Sequence, residues 1–360
     1  MLPRVKAEHA PYRLSDSRVR IGGDIYGIAS EIEDPGGLAW AALNLMDGTR
    51  TQDDIVDALT ALFPELPVTS VARIVDALVR SGHIEDANSA APEELTPREQ
   101  ERYLRNRDFF RWVDLSPHGN PWHPQLRLKS ARVVVIGLGG TGTHAVWSLA
   151  AAGVGRVHCV DSDTVELSNL NRQILYTEAD IGRRKVDVAL RRLKAVNSDI
   201  TITGENRRID GQEALLPLLA DCDVLALCAD EPRGEAGLRH WANRACLSAG
   251  VPWVGGGYSG PLVSTCVTGP GGPCFECLQH AAEQERRRKG HPATADFGWP
   301  GVLATTAALS GQLIAQAVIS LLTEIPRIAP GYLTGINVIA PDQHFFVRPE
   351  RRADCPVCAS

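Results

Sequence analysis

Apolar residues recur along this chain in two rhythms. Early on, VRIGGDIYGIASEI sets two strand-like runs either side of a turn-like Gly-Gly-Asp, and LAWAALNLM and DDIVDALTALF then repeat apolar positions at helical spacing. A third helical run, VARIVDALVRSG, gathers Val71, Ile74, Val75, Leu78 and Val79 on one face and has Gly82 where a helix would be capped. A strand pair followed by helices predicts a small α+β unit of winged-helix shape over residues 1–90. Next comes NSAAPEELTPREQ, rich in small residues, proline and charge. It reads as a linker entering a helix at Thr96, with Pro97 in the first helical position and Glu99 completing a capping box. Residues 91–125 form this linker and helix. From Ala131 the rhythm changes to alternation: ARVVVIG, THAVWSLAAAG, RVHCVD, RRKVDVALRRLKAVN, TITGENRRI, CDVLALCAD and GLRHWANRACLSAG. Strands alternating with helices imply βαβ units, so residues 126–360 are expected to form an α/β, Rossmann-like, doubly wound and mostly parallel sheet.

The first strand of that series runs into GLGGTG, which supplies Gly137, Gly139, Gly140 and Gly142 directly before a helix. Glycines there let the backbone turn sharply against a phosphate, while free N–H groups and the positive helix end attract its charge. Asp161 closes the next strand, where an acidic residue would accept hydrogen bonds from ribose hydroxyls. To this point a nicotinamide-dependent oxidoreductase fits equally well. The following stretch, DSDTVELSNLNRQILYTEADIGRRK, separates the two readings by placing Asp161, Asp163, Asn169, Arg172, Gln173 and Lys185 in one short span. A dinucleotide fold has no need of that set. An enzyme directing attack at the α-phosphate of ATP does, because cations must neutralise the triphosphate and a carboxylate must hold magnesium.

GxGGxG, GVGRVHCVDSDTVELSNLNRQ and IGRRK at this spacing resemble the ThiF/MoeB/HesA group, relatives of the ubiquitin-activating enzymes, from about Arg102 onward. The resemblance implies that Asp161 binds ribose, that Asn169, Arg172 and Lys185 handle the triphosphate, and that Asp230 in CDVLALCAD holds Mg2+. It also implies an arginine finger supplied across a homodimer from an R-Y-x-R-[QN] motif. RYLRN matches that motif, making Arg105 the candidate, although SPHGNPWHP lengthens the stretch between it and the glycine loop.

Two CxxC pairs, Cys274 with Cys277 and Cys355 with Cys358, make a four-thiolate set suited to a closed, structural Zn2+ site. The resembling family has the same arrangement. The other five cysteines sit singly in apolar runs, so no disulfide framework is expected. Some family members relay the acyl group through a cysteine between the zinc pairs. No cysteine lies between Cys277 and Cys355 here, which favours direct attack on the acyl adenylate. Cys266 is the alternative nucleophile, against the plainer reading of a small buried residue. The ten histidines form no metal-binding pattern, and His118, His123 and His291 are placed in loops.

Composition narrows the partners. The formal charge of -6 falls wholly in residues 1–90, which carry 8 Lys/Arg against 14 Asp/Glu and are a poor match for nucleic acid. No apolar run is expected to approach the ~20 residues that span a bilayer, and the N-terminus has no apolar signal segment, so the expected location is the cytoplasm and no membrane partner is expected. The strand pair, MDGTRTQDDIVDAL and LVRSGHIEDA resemble the PqqD-like peptide-recognition domains of ribosomal peptide-modifying systems. Those capture a leader peptide as an added strand. A DNA-binding winged helix and a dimerisation element share the outline. Together these features imply an adenylyltransferase that binds a ribosomal precursor peptide and adenylates one of its carboxylates with ATP, passing it to a nucleophile or a second modifying enzyme. Adenylation of a ubiquitin-like sulfur carrier and non-catalytic leader delivery to a cyclodehydratase are the rival readings.

Overall fold

The computed structural model describes residues 1–15, 17–116, 120–229, 237–290 and 301–359. They form two compact units, Met1–Leu126 and Arg127–Ser360, divided within α6 (His123–Ser130).

The first unit contains β1 (Pro3–Val5), β2 (Tyr12–Ser15), β3 (Arg18–Ile21), β4 (Ser30–Glu33), α1 (Leu38–Leu45), α2 (Gln52–Leu62), α3 (Val68–Arg80), β5 (Ile84–Asp86), α4 (Pro97–Arg102) and α5 (Leu104–Val113). β2, β3 and β4 form an antiparallel sheet in that order, and β1 pairs antiparallel with β5. Val19 and Ile21 pack with Ala42, Leu43, Ile55, Leu59, Val71, Val75 and Leu78, so the helical spacing read from the sequence does define the buried face of α3. Gly82 follows that helix at φ +81°, the left-handed cap expected there. Thr96 and Glu99 form the expected capping box, with Pro97 in the first turn, but the helix breaks at Tyr103 into α4 and α5.

A buried hydrogen-bond chain closes this unit. Nε2 of His9 lies 2.8 Å from the Trp112 carbonyl, which can only accept, so it carries the proton. His9 Nδ1 therefore accepts from His83 Nδ1 at 3.0 Å, and His83 Nε2 accepts from the Ser30 hydroxyl at 3.3 Å. Both imidazoles are neutral in this arrangement. Burial and the neighbouring His9 and Lys6 hold His83 down at about 4, and burial lowers His9 as well.

The second unit contains β6 (Arg132–Ile136), α7 (Gly140–Ala152), β7 (Arg156–Asp161), α8 (Lys185–Val196), β8 (Thr201–Asn206), α9 (Leu216–Leu219), β9 (Val224–Leu227), α10 (Leu238–Ala249), β10 (Trp253–Ser259), β11 (Leu262–Thr268), α11 (Phe275–Arg288), α12 (Ala304–Thr323), β12 (Tyr332–Asn337) and β13 (His344–Val347). One eight-stranded sheet runs β13-β12-β11-β10-β9-β6-β7-β8. The five strands from β8 to β10 are parallel, as the alternating pattern implies. β10 to β13 extend the sheet antiparallel, a part the sequence reading did not separate. Chain order reverses between β6 and β9, and the crevice at that switch point is where doubly wound folds take ligands.

The expectation that no apolar segment reaches membrane-spanning length needs correction. α12 has 20 residues, and its most apolar 18-residue window has a mean hydropathy of 1.4, enough to cross a bilayer by length and composition alone, with half of that window buried inside the protein. Its interior packs on α7, β10 and β11. Thr141 and Ser310 share a 2.7 Å hydrogen bond between the two helices, and a Cβ on Gly311 would lie 2.5 Å from the Thr141 carbonyl oxygen.

Candidate active site

The crevice is built on the glycine loop. Gly137 adopts φ +92°, and a Cβ there would come within 2.5 Å of the Ala229 backbone nitrogen, so only glycine lets β6 turn beside the end of β9. Gly142 sits in the first turn of α7, where a Cβ would meet the Gly137 carbonyl oxygen at 1.8 Å. Gly139 faces the crevice, whereas Gly140 is buried against Tyr258, Ala307 and Arg172. A Cβ on Gly139 would find only Gln173 Nε2, at 3.9 Å. The start of α7 thus presents bare backbone N–H groups to the space where a phosphate would lie.

Asp161 ties this loop in place. Its Oδ2 accepts from Leu138 N at 2.6 Å and its Oδ1 from Asp163 N at 2.8 Å, and each oxygen keeps a further lone pair. Lys185, the first residue of α8, is 6% exposed and donates to Asp163 Oδ2 at 2.8 Å. The pair brings one cation and one carboxylate to the mouth of the crevice. Arg172 donates through Nη1 to the Ser168 carbonyl and Asn171 Oδ1, and its buried Nε has no partner among the described residues. Gln173 is 4% exposed, its Nε2 is the end nearest Gly139, and its Oε1 has no partner among the described residues. Asn169 is spent on the local turn, its Oδ1 accepting from Glu166 N at 3.0 Å.

Three groups that sequence reasoning passed over complete the surroundings. Tyr176 donates its hydroxyl to the Leu138 carbonyl at 3.0 Å, and burial pushes its phenol well above the ordinary range. His144 on α7 donates Nε2 to the Arg172 carbonyl at 3.2 Å, orienting that arginine's backbone. Tyr258 on β10 brings its hydroxyl to the head of α7. Only the aromatic after the glycine run of GGGYSG could have signalled it. Below the site, Asp180 is buried. Burial alone would raise its carboxyl, but the Thr177 hydroxyl and amide and the Arg192 and Arg191 guanidiniums hold it down at about 2.

The remaining sequence candidates divide. Asp230, the expected magnesium ligand, lies outside the described residues, as do His118 and His291; His123 opens α6 rather than standing in a loop. Arg105 stands on α5 of the first unit with its side chain 92% exposed, 3.9 Å from Asp108 Oδ2. Cys274, Cys277, Cys355 and Cys358 converge, all buried, with their sulfurs within 4.8 Å of one another. Cys274 to Cys355 and Cys277 to Cys358 are each 3.6 Å, close to the ~3.8 Å edge of a tetrahedron with ~2.3 Å Zn–S bonds. The donor set and spacing fit zinc. Burial pushes the Cys266 thiol up to about 12, so at neutral pH it is no nucleophile.

Comparison with known proteins gives this geometry its family. The ThiF family matches residues 107–357. The chain belongs to that family. It is 32% identical over 267 residues to a molybdopterin-synthase adenylyltransferase of Salmonella typhimurium, covering 74% of this chain and 98% of the relative. It is 34% identical over 264 residues to the sulfur carrier protein ThiS adenylyltransferase of Escherichia coli, covering 71% and 97%. This ThiF-family chain is accordingly an adenylyltransferase. In fold it is similar to E. coli MccB, with a TM-score of 0.79 at 21% identity over 99% of this chain and 97% of that one. A crystal structure of MccB with AMPCPP and selenomethionyl MccA gives 0.75 at 22% identity over 99% and 100%.

Proposed function

We propose that this enzyme adenylates a carboxylate on a ribosomally made precursor peptide, using Mg-ATP and capturing the peptide's leader through the PqqD-like residues 1–90. The observation carrying this reading is where the likenesses begin. The family match starts at residue 107, whereas the fold likeness to MccB covers 99% of the chain. MccB has been crystallised with ATP and with an MccA that bears selenomethionine or an N-formyl group, the marks of a polypeptide. The chain thus keeps, ahead of its family region, a unit that the carrier-protein reading leaves without a task.

In the proposed reaction a carboxylate oxygen attacks the α-phosphorus, the bond to the β-phosphate breaks, and pyrophosphate leaves with the electron pair. No proton need be transferred. The work is positioning and charge neutralisation. The amides of Gly139 and Gly140 receive the phosphate, Asp161 and Asp163 lie toward the ribose, and Gln173 and Asn169 fix the wall. Lys185 and Arg172 neutralise the triphosphate, and Arg105 of the partner subunit in a homodimer adds the third cation. Asp230, next in sequence after Ala229, would hold the magnesium, which draws off charge at the pyrophosphate. The four cysteines would hold a structural zinc that fastens Cys355 and Cys358 to the start of α11.

The sulfur-carrier alternative draws on the names of the relatives at 32% and 34% identity. The delivery-partner reading has against it the intact set of glycines, Asp161, Arg172 and Lys185. Incubating the protein with Mg-ATP and either short peptides encoded beside its gene or a Gly-Gly-ended carrier, and quantifying AMP and ADP separately, decides among them. Peptide-dependent AMP and pyrophosphate are expected. AMP formed only with the carrier would overturn the peptide reading, and tight peptide binding without turnover would favour delivery.

A further inference from the structure

The crevice has two sides, and the groups above crowd one of them. β6, α7, β7 and α8 provide the glycines, Asp161 and Lys185, and the turn between β7 and α8 provides Arg172. The opposite side belongs to β10, which outruns its parallel neighbour. Pairing with β9 covers only Trp253–Gly255, while pairing with β11 continues to Ser259. The overhang carries no side chain at Gly256 or Gly257, so Tyr258 is the first side chain beyond the end of the parallel ladder. A Cβ on Gly140 would meet the Tyr258 hydroxyl oxygen at 3.0 Å, Arg172 Cδ at 3.2 Å and Ala307 Cβ at 3.2 Å. A phenol from the antiparallel half and an arginine from the nucleotide half therefore meet over the residue that opens the phosphate-binding helix.

We infer that the Tyr258 hydroxyl positions the acyl substrate, donating a hydrogen bond to the carboxylate oxygen that does not attack. This rests on the adenylation reading and adds a residue to its acyl side. The choice of group follows from the chemistry. A lysine or arginine here would pair with the whole carboxylate and hold back the electrons that must reach phosphorus. A phenolic O–H engages one oxygen and leaves the other free. The hydroxyl keeps its proton throughout, because forming the O–P bond and expelling pyrophosphate leaves no proton to move. Cations dominate the nucleotide side, where charge must be neutralised, and a neutral donor reaches in from the other.

The test compares two ligands on the full chain by calorimetry: Mg-AMPCPP, which fills only the nucleotide side, and 5′-O-(N-acetylsulfamoyl)adenosine, a non-hydrolysable acyl-adenylate mimic. Tyr258→Phe is expected to weaken the mimic about 5- to 10-fold while leaving AMPCPP within about twofold, at an unchanged thermal midpoint. Once a peptide substrate is in hand, its KM should rise while that for ATP stays. Equal losses for both ligands would make Tyr258 a phosphate contact, and no loss for either would remove it from the site. Either result overturns the inference. Wild-type protein that fails to bind AMPCPP would instead bring down the adenylation reading, and this inference with it.

Discussion

Two clusters of buried polar groups, the histidine chain of the first unit and the carboxylate–cation set of the second, treat charge in opposite ways. In the second, charge is retained and partnered. Lys185 meets Asp163, Asp180 is held ionised by two arginines, and both oxygens of Asp161 accept backbone N–H groups. In the first, His9 and His83 give up their charge and join a neutral chain from Ser30 to the Trp112 carbonyl. The difference teaches what each buried polar group is for. Retained charge is useful where a polyanion must be received. A neutral chain locks two elements together and demands only that its members stay unprotonated.

The hardest test of that division is Arg105, which belongs to the first unit yet is proposed to act in the chemistry. Arg105→Ala should lower kcat/KM about 10^3-fold or more, by analogy with other arginine fingers. A loss under about tenfold would mean that the second unit alone supplies the catalytic charge. Lys185→Met should cost on the order of 10^2- to 10^3-fold in kcat/KM, with partial recovery in Lys185→Arg; wild-type activity in the methionine variant would show that the buried amine serves packing. Cys355→Ser should release the zinc and lower the thermal midpoint by about 10 °C without changing AMPCPP affinity, read by metal analysis and calorimetry. Protein purified without chelator and containing no zinc would refute the site.

The smallest effect is the pH response of the first unit. A histidine whose folded value lies below its unfolded one binds fewer protons when folded, so its contribution is fully present above about pH 6.5 and is lost as pH falls toward about 4, the level of His83. Asp180, held at about 2, keeps its contribution through that window and gives it up only at lower pH. Stability should therefore fall between pH 6.5 and 4, and a His9→Gln/His83→Gln variant, although less stable overall, should show a flatter profile there. An unchanged slope would place the titrating groups elsewhere.

How much could be read in advance follows the same physics. The parallel half of the sheet was legible because each strand is an unbroken apolar run and each helix repeats its apolar face, and the loop because only glycine fits beside Ala229 and Gly137. The caps at Thr96 and Gly82 were legible from local chemistry alone. β10 to β13 were not: WVGGGYS breaks its apolar run with three glycines, and HFFV merely alternates exposed with part-buried residues. His9 and His83 stand 74 residues apart, and nothing local marks either as a partner for the other. Tyr258 acquires meaning only once β10 is known to outrun β9. Most instructive is α12, whose threonines, serines and glutamines disguised an apolar helix of 20 residues.

That helix has a consequence for any survey of mutational tolerance. Gly311 and Ser310 fix how near α12 can come to α7, and α7 carries the glycine loop at its head. Bulk added at Gly311 would lever the loop off its seat from behind. A saturation map of this protein should therefore show a second band of intolerance, remote from the chemistry, as severe as that of the loop. Ranking positions by lost activity alone would mistake a spacer for a binding site.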